Sequence, residues 1–432
     1  MSRPNLVYLH SHDTGRMIQP YGYAVPTPNL QRLADEGVLM RRAYCAAPTC
    51  SPSRAALLTG QCAHSSGMLG LAHRGFRMAD RRQHLVHTLA AAGYTTILAG
   101  TQHVAKHDDE IGYHRVLTPA TDAAADVAPG AAAFLRGKPQ EPFFLDVGFS
   151  ETHRDFPDAP DAAARYVIPP TPLPDTSATR RDMAGFIASA RDLDDGIGTV
   201  LAALDEAGLA ESTLVIYTTD HGPAFPNMKC NLTDHGIGVG LILRGPGGFE
   251  GGRVCDAMLS HIDIFPTLCD LLDIPTPSWV QGTSFLPVIR GERDEINEAV
   301  FAEVTYHAAY EPQRAVRTQR YKYIRRYGDR RTPILPNIDD SDSKECWLAQ
   351  GWADRRVAPE QLYDLVFDPQ ERCNLIDHPE AAAVAADLRA RLDAWMQATG
   401  DPLTAGQVPA PSGVLINDPA GRSPREAPVL VE

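Results

Sequence analysis

Four segments of the chain are rich in apolar and β-branched residues and end abruptly in polar ones. They cover residues 6–11, 93–100, 142–149 and 213–219. Such segments are typical of strands buried on both faces of a parallel sheet. Helical patterns lie between them, at residues 27–36, 83–92 and 181–207. The pattern predicts an α/β fold, with a large mixed, mostly parallel sheet sandwiched by helices.

The last third of the chain has a different pattern. Residues 299–306 and 314–325 alternate between apolar and polar positions, as antiparallel strands do, and residues 381–399 form an amphipathic helical pattern. Beyond residue 400 the chain is rich in proline and glycine, so we expect irregular structure that wraps the body or is disordered. We predict a large domain at 1–295 and a C-terminal α+β subdomain, built on an antiparallel sheet, at 296–432.

Carboxylates follow the first and the fourth predicted strands, as Asp13 and as the triplet Asp220-His221-Gly222. In open α/β sheets ligands bind beyond the carboxyl ends of the strands, and hard divalent cations prefer oxygen ligands. Asp13 and Asp220 are therefore candidate metal ligands, while His221 suits a site of mixed donors. Taken alone, Asp13 is better explained as an acid that caps a turn before Gly15.

Other polar residues stand at the same strand ends. His12 and Thr101 follow the first and second strands, His103 follows Thr101 closely, and His153 follows the third strand. A single histidine after a strand is more often an ordinary loop residue than a catalytic one. The position of His153 directly after a strand of the predicted sheet favours a functional role for this histidine. His73, in a glycine-rich loop, is expected on the surface.

The stretch from residue 48 to residue 60 reads PTCSPSRAALLTG. Pro52 lacks a backbone donor and suits the first turn of a helix, so Cys50 is predicted at a helix N-terminus, where an anion is favoured. Arg54 adds a fixed positive charge nearby. The pattern indicates a nucleophile in an anion-binding site; the alternative is a small buried cysteine that merely begins a helix.

The composition of the chain argues against nucleic acid and membranes as binding partners. A net charge of −14 argues against a broad nucleic-acid-binding surface, so an anionic substrate would need a local metal or a cationic cluster. No apolar run reaches membrane-spanning length, and no signal-peptide pattern is seen, so we expect a cytoplasmic protein without a membrane partner. The eight cysteines lack C-x-x-C spacing and are expected to be reduced thiols. The sequence leaves open whether the chain forms a homo-oligomer.

The stretch from 48 to 60 resembles the signature of the type I sulfatases at every position. The resemblance implies that a formylglycine-generating enzyme oxidises Cys50 to formylglycine, whose hydrate attacks a small anionic sulfate ester. It also implies one divalent metal ion, Ca²⁺ by expectation, with Mg²⁺ or Mn²⁺ as alternatives. The ligands implied are Asp13, the modified Cys50, Asp220 and His221.

The resemblance further implies roles for the remaining residues. Arg54 and Lys229 would stabilise negative charge on the sulfuryl oxygens, His153 would protonate the leaving group, and His103 would act as the base. Two positions depart from the family pattern. His12 stands where many sulfatases have a second aspartate, and Thr101 stands where most have a lysine.

Softer signals resemble the sulfamidases, which cleave N-linked sulfate from glucosamine. On that resemblance we predict substrate contacts at four positions: His12, Thr101, Glu303 and Arg314. The substrate would be an O- or N-sulfated molecule, with a sulfated sugar as one candidate. A phosphonate monoester hydrolase or phosphodiesterase of the same superfamily is the alternative, and a non-catalytic binding protein is a third interpretation.

Overall fold

The computed structural model describes residues 3–432, and an eight-stranded sheet forms its centre. The strand order is β4-β3-β5-β1-β6-β7-β2-β8, and β7 alone among these strands runs against its neighbours. The predicted mostly parallel sheet is therefore confirmed. The strands are β1 Asn5–Ser11, β2 Val38–Tyr44, β3 Thr95–Gly100, β4 Arg115–Leu117, β5 Phe143–Gly148, β6 Thr213–Thr219, β7 Leu241–Arg244 and β8 Arg253–Ser260.

Helices cover both faces of this sheet. They are α1 Pro28–Glu36, α2 Cys50–Thr59, α3 Ala63–Ser66, α4 Leu85–Ala91, α5 Ala124–Arg136, α6 Asp161–Ala164, α7 Ser177–Glu206, α8 Asp234–Ile237, α9 Ile264–Leu271, α10 Leu286–Ile289, α11 Asp342–Leu348 and α12 Ala382–Thr399. Apolar residues of α1, α5 and α7 form one core with the sheet, and those of α2, α4 and α9 form another on its opposite face. Within residues 3–432, no helix has both the length and the apolar character needed to cross a membrane.

A smaller antiparallel sheet follows, in the order β12-β11-β10-β9. Its strands are β9 Ala299–Tyr306, β10 Tyr310–Thr318, β11 Tyr321–Arg326 and β12 Glu360–Asp364. The predicted C-terminal α+β subdomain is thus present. Val300, Ala302 and Ala315 of this sheet belong to the same core as α2 and α9, so the two sheets pack into one body. The boundary at residue 295 stays a prediction.

The chain beyond residue 400 wraps this body and makes defined contacts. Leu415–Ile416 and Val429–Leu430 pair as the short strands β13 and β14. Asn417 accepts a hydrogen bond from Arg74, and Arg425 forms an ion pair with Asp155. The expectation that this region wraps the body is confirmed, and the alternative of a disordered tail is not.

The order of the central strands explains how distant residues meet. Strands β3, β5, β1 and β6 are consecutive neighbours and all parallel, so their carboxyl ends lie at one edge of the sheet. The ends are level as well, because the last paired residue of β1, Ser11, lies opposite Thr219 of β6. The polar residues that follow these four strands are therefore brought to one place.

Candidate active site

Cys50 begins helix α2 at this edge of the sheet. The preceding Thr49 is extended, and every residue of α2 is buried. Pro52 lies in the first turn, where the absence of its N–H costs no helical hydrogen bond. Ser53 fixes the helix start to the end of β6, because its hydroxyl donates to the Asp220 carbonyl at 2.5 Å. The predicted location of Cys50 at a helix N-terminus is confirmed.

The two strand-end carboxylates lie beside Cys50 and are tied to different partners. Through Oδ1, Asp220 accepts hydrogen bonds from the backbone N–H groups of Asp13, at 2.8 Å, and of His221, at 2.9 Å. Through Oδ2 it accepts a hydrogen bond from the guanidinium of Arg54 at 3.1 Å. Burial acts to raise the pKa of Asp220, but His221 and Arg54 outweigh it and hold that pKa well below its usual value. Asp13 accepts from Lys229 through Oδ2 at 2.8 Å, while its buried Oδ1 has no hydrogen-bond partner.

Two imidazole rings complete the cluster. His221 Nδ1 lies 2.9 Å from the Gly222 carbonyl. A carbonyl only accepts, so a neutral His221 ring carries its proton on Nδ1 and keeps a lone pair on Nε2. That Nε2 is 3.4 Å from Cys50 Sγ and 3.4 Å from Asp13 Oδ1. His12 Nδ1 lies 3.2 Å from Asp220 Oδ2 and is buried without a hydrogen-bond partner.

These side chains fit a divalent cation. Ligand atoms of His12, Asp13, Cys50 and Asp220 all lie within 4.8 Å of one another. The Nε2 atom of His221 lies 3.4 Å from Asp13 Oδ1, which has no hydrogen-bond partner. Buried acceptors that face each other are costly unless a cation joins them. The metal ligands predicted from the sequence are thus brought together, with His12 as a further nitrogen donor.

Lys229 supplies the positive charge at the mouth of this cluster. Its Nζ lies 2.8 Å from Asp13, 3.1 Å from Asp339 and 3.3 Å from His153 Nε2. Burial opposes the charge on Lys229, but Asp13 and Asp339 outweigh burial and raise its pKa well above its usual value. Lys229 is therefore a fixed cation. Asp339 was missed in the sequence, because it belongs to a loop of the C-terminal subdomain and follows no strand of the large sheet.

Arg54 is buried behind the carboxylates. It is 2% exposed, and it donates to the Ser11 carbonyl at 2.8 Å, to Asp220 and to the ring of His10. These bonds hold the ends of β1 and β6 together. The geometry therefore gives Arg54 a positioning role toward Asp220, and its contact with a sulfuryl group stays a prediction from the resemblance.

His103 and His73 form a stacked pair on the other side. Their ring centroids are 5.3 Å apart with planes 8° from parallel, and His103 Nε2 is 3.1 Å from His73 Nδ1. Burial first, and then the neighbouring His12 and Arg54, hold the pKa of His103 well below its usual value. His103 is therefore neutral near pH 7 and able to accept a proton. His73, expected at the surface, is a site residue that the sequence pattern missed.

A cavity of roughly 490 Å³ lies in front of these groups. It is lined by His12, His73, Thr101, His103, Asp122, Ser150, Glu151, His153, Arg154, Asp155, Pro157, Ser189 and Asp192. His12 and Thr101, two of the four predicted substrate contacts, face this cavity. His153 is also at its wall, with Nδ1 2.6 Å from the Arg154 carbonyl and Nε2 toward Lys229.

The other two predicted substrate contacts, Glu303 and Arg314, are contradicted by their burial. Arg314 is 0% exposed and forms a two-bond ion pair with Asp401, at 2.5 Å and 3.0 Å. Glu303 accepts from both the backbone and the ring of His64. Neither residue lines the cavity. Both join the small sheet to α3 and to the segment after α12, which is a structural role.

An α/β sheet that carries a cysteine at a helix start, a carboxylate–imidazole cluster and a fixed lysine is an arrangement that suits a hydrolase of anionic esters. Residues 4–274 match the family model described as Sulfatase, and residues 228–346 match the model described as N-sulphoglucosamine sulphohydrolase, C-terminal. The chain belongs to the sulfatase family and is a sulfuric ester hydrolase.

Individual relatives span nearly the whole chain. The N-sulphoglucosamine sulphohydrolase of Homo sapiens is 30% identical, over 91% of this chain and 88% of its own length. An ulvan-active sulfatase of Formosa agariphila is 28% identical, over 97% of this chain and 84% of its own. Among solved structures, a 2-O GAG sulfatase has a TM-score of 0.73 at 22% identity and covers 95% of each chain. That structural likeness supports the fold.

Proposed function

We propose that this protein is a metal-dependent sulfatase that uses formylglycine, formed from Cys50, to remove sulfate from an O- or N-sulfated sugar. An N-sulfated amino sugar is the first substrate class to test. The observation that carries the proposal is the convergence of Cys50, the ligand cluster around Asp13 and Asp220, and the fixed cation Lys229, beside a cavity that His12 and His153 line. A formylglycine-generating enzyme is the maturation partner that this proposal requires.

The ligand cluster defines where a metal would be held. Asp13, Asp220 and His221 surround the start of α2, so an ion between them would also contact the side chain at position 50. A divalent ion held there would supply Lewis-acid activation, which makes a hydroxyl a usable nucleophile near neutral pH. The helix N-terminus adds a partial positive charge beside the same atom.

Lys229 and His153 are placed to stabilise negative charge on the sulfuryl group and to protonate the leaving group. His153 Nδ1 donates to the Arg154 carbonyl, so its Nε2 faces Lys229 as an acceptor at 3.3 Å. Lys229 can hold a sulfuryl oxygen, and the pair can pass a proton to the departing oxygen or nitrogen. On the opposite wall the neutral His103 can accept a proton from the group at position 50.

Charge and size in the cavity support a singly charged sugar substrate. Thr101 occupies the position where most sulfatases have a lysine. The cavity therefore has less positive charge with which to hold a dianion. Carboxylates of Asp122 and Asp192 line the same cavity and can accept hydrogen bonds from sugar hydroxyl or amine groups. A volume of roughly 490 Å³ is in the range of pockets that bind small molecules. The relative that acts on N-sulphoglucosamine points in the same direction.

A phosphonate monoester hydrolase or phosphodiesterase is the second candidate. The presence of His221 after Asp220, and of Thr101 in place of a lysine, favours it, since its substrates are also singly charged. The phosphonate monoester hydrolase of Agrobacterium radiobacter shares the fold, with a TM-score of 0.68 at 21% identity.

A substrate panel separates the two candidates. Protein co-expressed with a formylglycine-generating enzyme is assayed with N-sulfoglucosamine, an aryl sulfate, a phosphonate monoester and a phosphodiester. We expect the highest kcat/KM for a sulfated compound, and no sulfate release by Cys50→Ser, because serine lacks the second hydroxyl of a hydrated aldehyde. A higher kcat/KM for either phosphorus compound would replace the sulfatase proposal with the second candidate.

A further inference from the structure

The nitrogen donors of the ligand cluster bear on which metal it holds. We propose that the site selects a borderline first-row divalent ion, of the class of Fe²⁺, Co²⁺ and Zn²⁺, over Ca²⁺. The inference rests on the proposed metal site and replaces the Ca²⁺ expectation drawn from the family resemblance. Its basis is the donor set of this chain: the rings of His12 and His221 stand among only two carboxylates.

The carboxylate oxygens of the site are nearly all committed to other partners. Asp220 Oδ1 accepts two backbone hydrogen bonds, and its Oδ2 accepts from Arg54. Asp13 Oδ2 accepts from Lys229, which leaves Asp13 Oδ1 as the oxygen without a partner in this pair of side chains. Ca²⁺ takes about six to eight oxygen ligands, so the protein offers it few free ones.

The charge around the two carboxylates lowers their attraction for a hard ion. Arg54 lies 3.1 Å from Asp220, and Lys229 lies 2.8 Å from Asp13, so two cations offset the two carboxylates at short range. Hard ions such as Ca²⁺ are bound mainly through the negative charge of their ligands. A site whose charge is already offset must gain its affinity from more covalent bonds, such as those between imidazole and first-row ions.

The imidazole nitrogens are free to make such bonds. The hydrogen bond from His221 Nδ1 to the Gly222 carbonyl fixes the tautomer that leaves Nε2 free, and it is the arrangement expected of a metal-bound histidine. His12 Nδ1 is buried, lacks a hydrogen-bond partner and lies within the cluster of ligand atoms. Two nitrogen donors with carboxylate oxygen match the preferences of Fe²⁺, Co²⁺ and Zn²⁺ better than those of Ca²⁺.

The test is a metal-binding titration that does not depend on turnover. Cys50→Ala is used as the background, because it removes a thiolate that would itself attract a soft ion. The metal-free protein is titrated with Co²⁺, followed by visible absorption, and with Mn²⁺, Zn²⁺ and Ca²⁺, followed by calorimetry. We expect one equivalent of Co²⁺ with absorption bands typical of nitrogen ligation, and Ca²⁺ binding at least about tenfold weaker than Zn²⁺, with Mn²⁺ as a hard first-row ion for comparison.

Substitutions reverse the preference if the imidazoles cause it. In the same background, His12→Asp with His221→Asn supplies oxygen donors at both positions, and we expect Ca²⁺ to gain and Zn²⁺ to lose about tenfold or more in affinity. His12→Asn alone is the second variant if the double one does not fold. His378→Gln, a change at an exposed histidine outside the cluster, should leave the titration unchanged.

Two results would overturn the inference: binding of Ca²⁺ as tight as or tighter than that of Zn²⁺ in the Cys50→Ala background, or an unchanged order of affinities in the folded His12 variants. Failure of the proposed function gives a different result, because the absence of sulfate release with every metal and substrate leaves the measured binding order intact. The two proposals can therefore fail separately.

Discussion

The buried pair of Arg314 and Asp401 yields a prediction that separates a structural role from a substrate-binding one. Arg314 is 0% exposed and donates to Asp401 twice, to the Val304 carbonyl and to the Thr305 hydroxyl. Asp401→Asn keeps the shape of the side chain and removes its charge. It leaves the Arg314 guanidinium buried with a weaker partner, so the folded state should lose stability while the cavity stays unchanged.

The magnitude follows from the partners that remain. Breaking a buried ion pair by altering one partner costs about 3–5 kcal/mol. Glu303 stays 3.4 Å from Arg314, so we expect the lower end, about 3 kcal/mol. An unfolding entropy of about 2.1 cal/mol/K per residue over 432 residues converts this loss to a Tm lower by about 3 °C.

The assay combines thermal unfolding at a fixed scan rate with kcat/KM on the best substrate of the panel. The control is Asp387→Asn, which removes an exposed pair with Arg391 and should lower Tm by less than about 1 °C. We expect Asp401→Asn to lower Tm and to leave KM unchanged. An unchanged Tm together with a raised KM would refute the structural role and return Arg314 to the substrate site.

Three further predictions concern the site and the pH dependence. Lys229→Met should lower kcat by about 10²–10³-fold, because it removes a preorganised cation, whereas the exposed Lys106→Met should retain full activity. His73→Phe keeps a ring against His103 but loses its hydrogen bond, so kcat should fall about tenfold and the acid limb of the pH profile should move; an unchanged profile would contradict the positioning role. Burial lowers the pKa of His84 to about 4 and of His261 to about 3. The unfolded chain therefore binds more protons than the folded one below about pH 6.5, and each histidine should cost about 1.4 kcal/mol of stability per pH unit as the pH falls from there toward its folded pKa. Denaturant unfolding at pH 7 and pH 5 measures this loss, which His84→Asn should reduce and which a pH-independent stability would contradict.

The central strands could be predicted because their signal is local. Strands β1, β3, β5 and β6 are rich in apolar and β-branched residues, which is what burial on both faces requires. Strand β2 contains Arg41 and Arg42, β4 has three residues, and the first half of β8 is largely solvent-exposed, so these strands lacked that signal. Their place in the sheet depends on pairing with strands far away in the sequence.

The site could be predicted to the same extent. Strand-end position brought Asp13, His103, His153 and Asp220 into consideration, and parallel pairing does bring them to one edge. Asp339 could not be found in this way, because the packing of the small sheet against the large one brings it to Lys229.

Helix capping shows the same limit of local patterns. A threonine followed by proline predicts that Thr27 caps α1, yet the Thr27 hydroxyl accepts from Gln19 instead. Instead, the carboxylate of Asp194 in α7 accepts hydrogen bonds from the backbone N–H groups of Asn29 and Leu30 at the start of α1. Asp194, which lies in a distant helix, thus caps α1 in place of Thr27, the residue that the local sequence predicts for this role.

The central claim is that the residue made from Cys50 is the nucleophile. The most direct measurement compares, across preparations made with increasing amounts of a formylglycine-generating enzyme, the converted fraction of the tryptic peptide that contains position 50 with the initial rate of sulfate release. The account predicts a rate proportional to the converted fraction, with no release at zero conversion. Sulfate release by unconverted protein, or no release by fully converted, metal-loaded protein on any sulfated substrate of the panel, would contradict it.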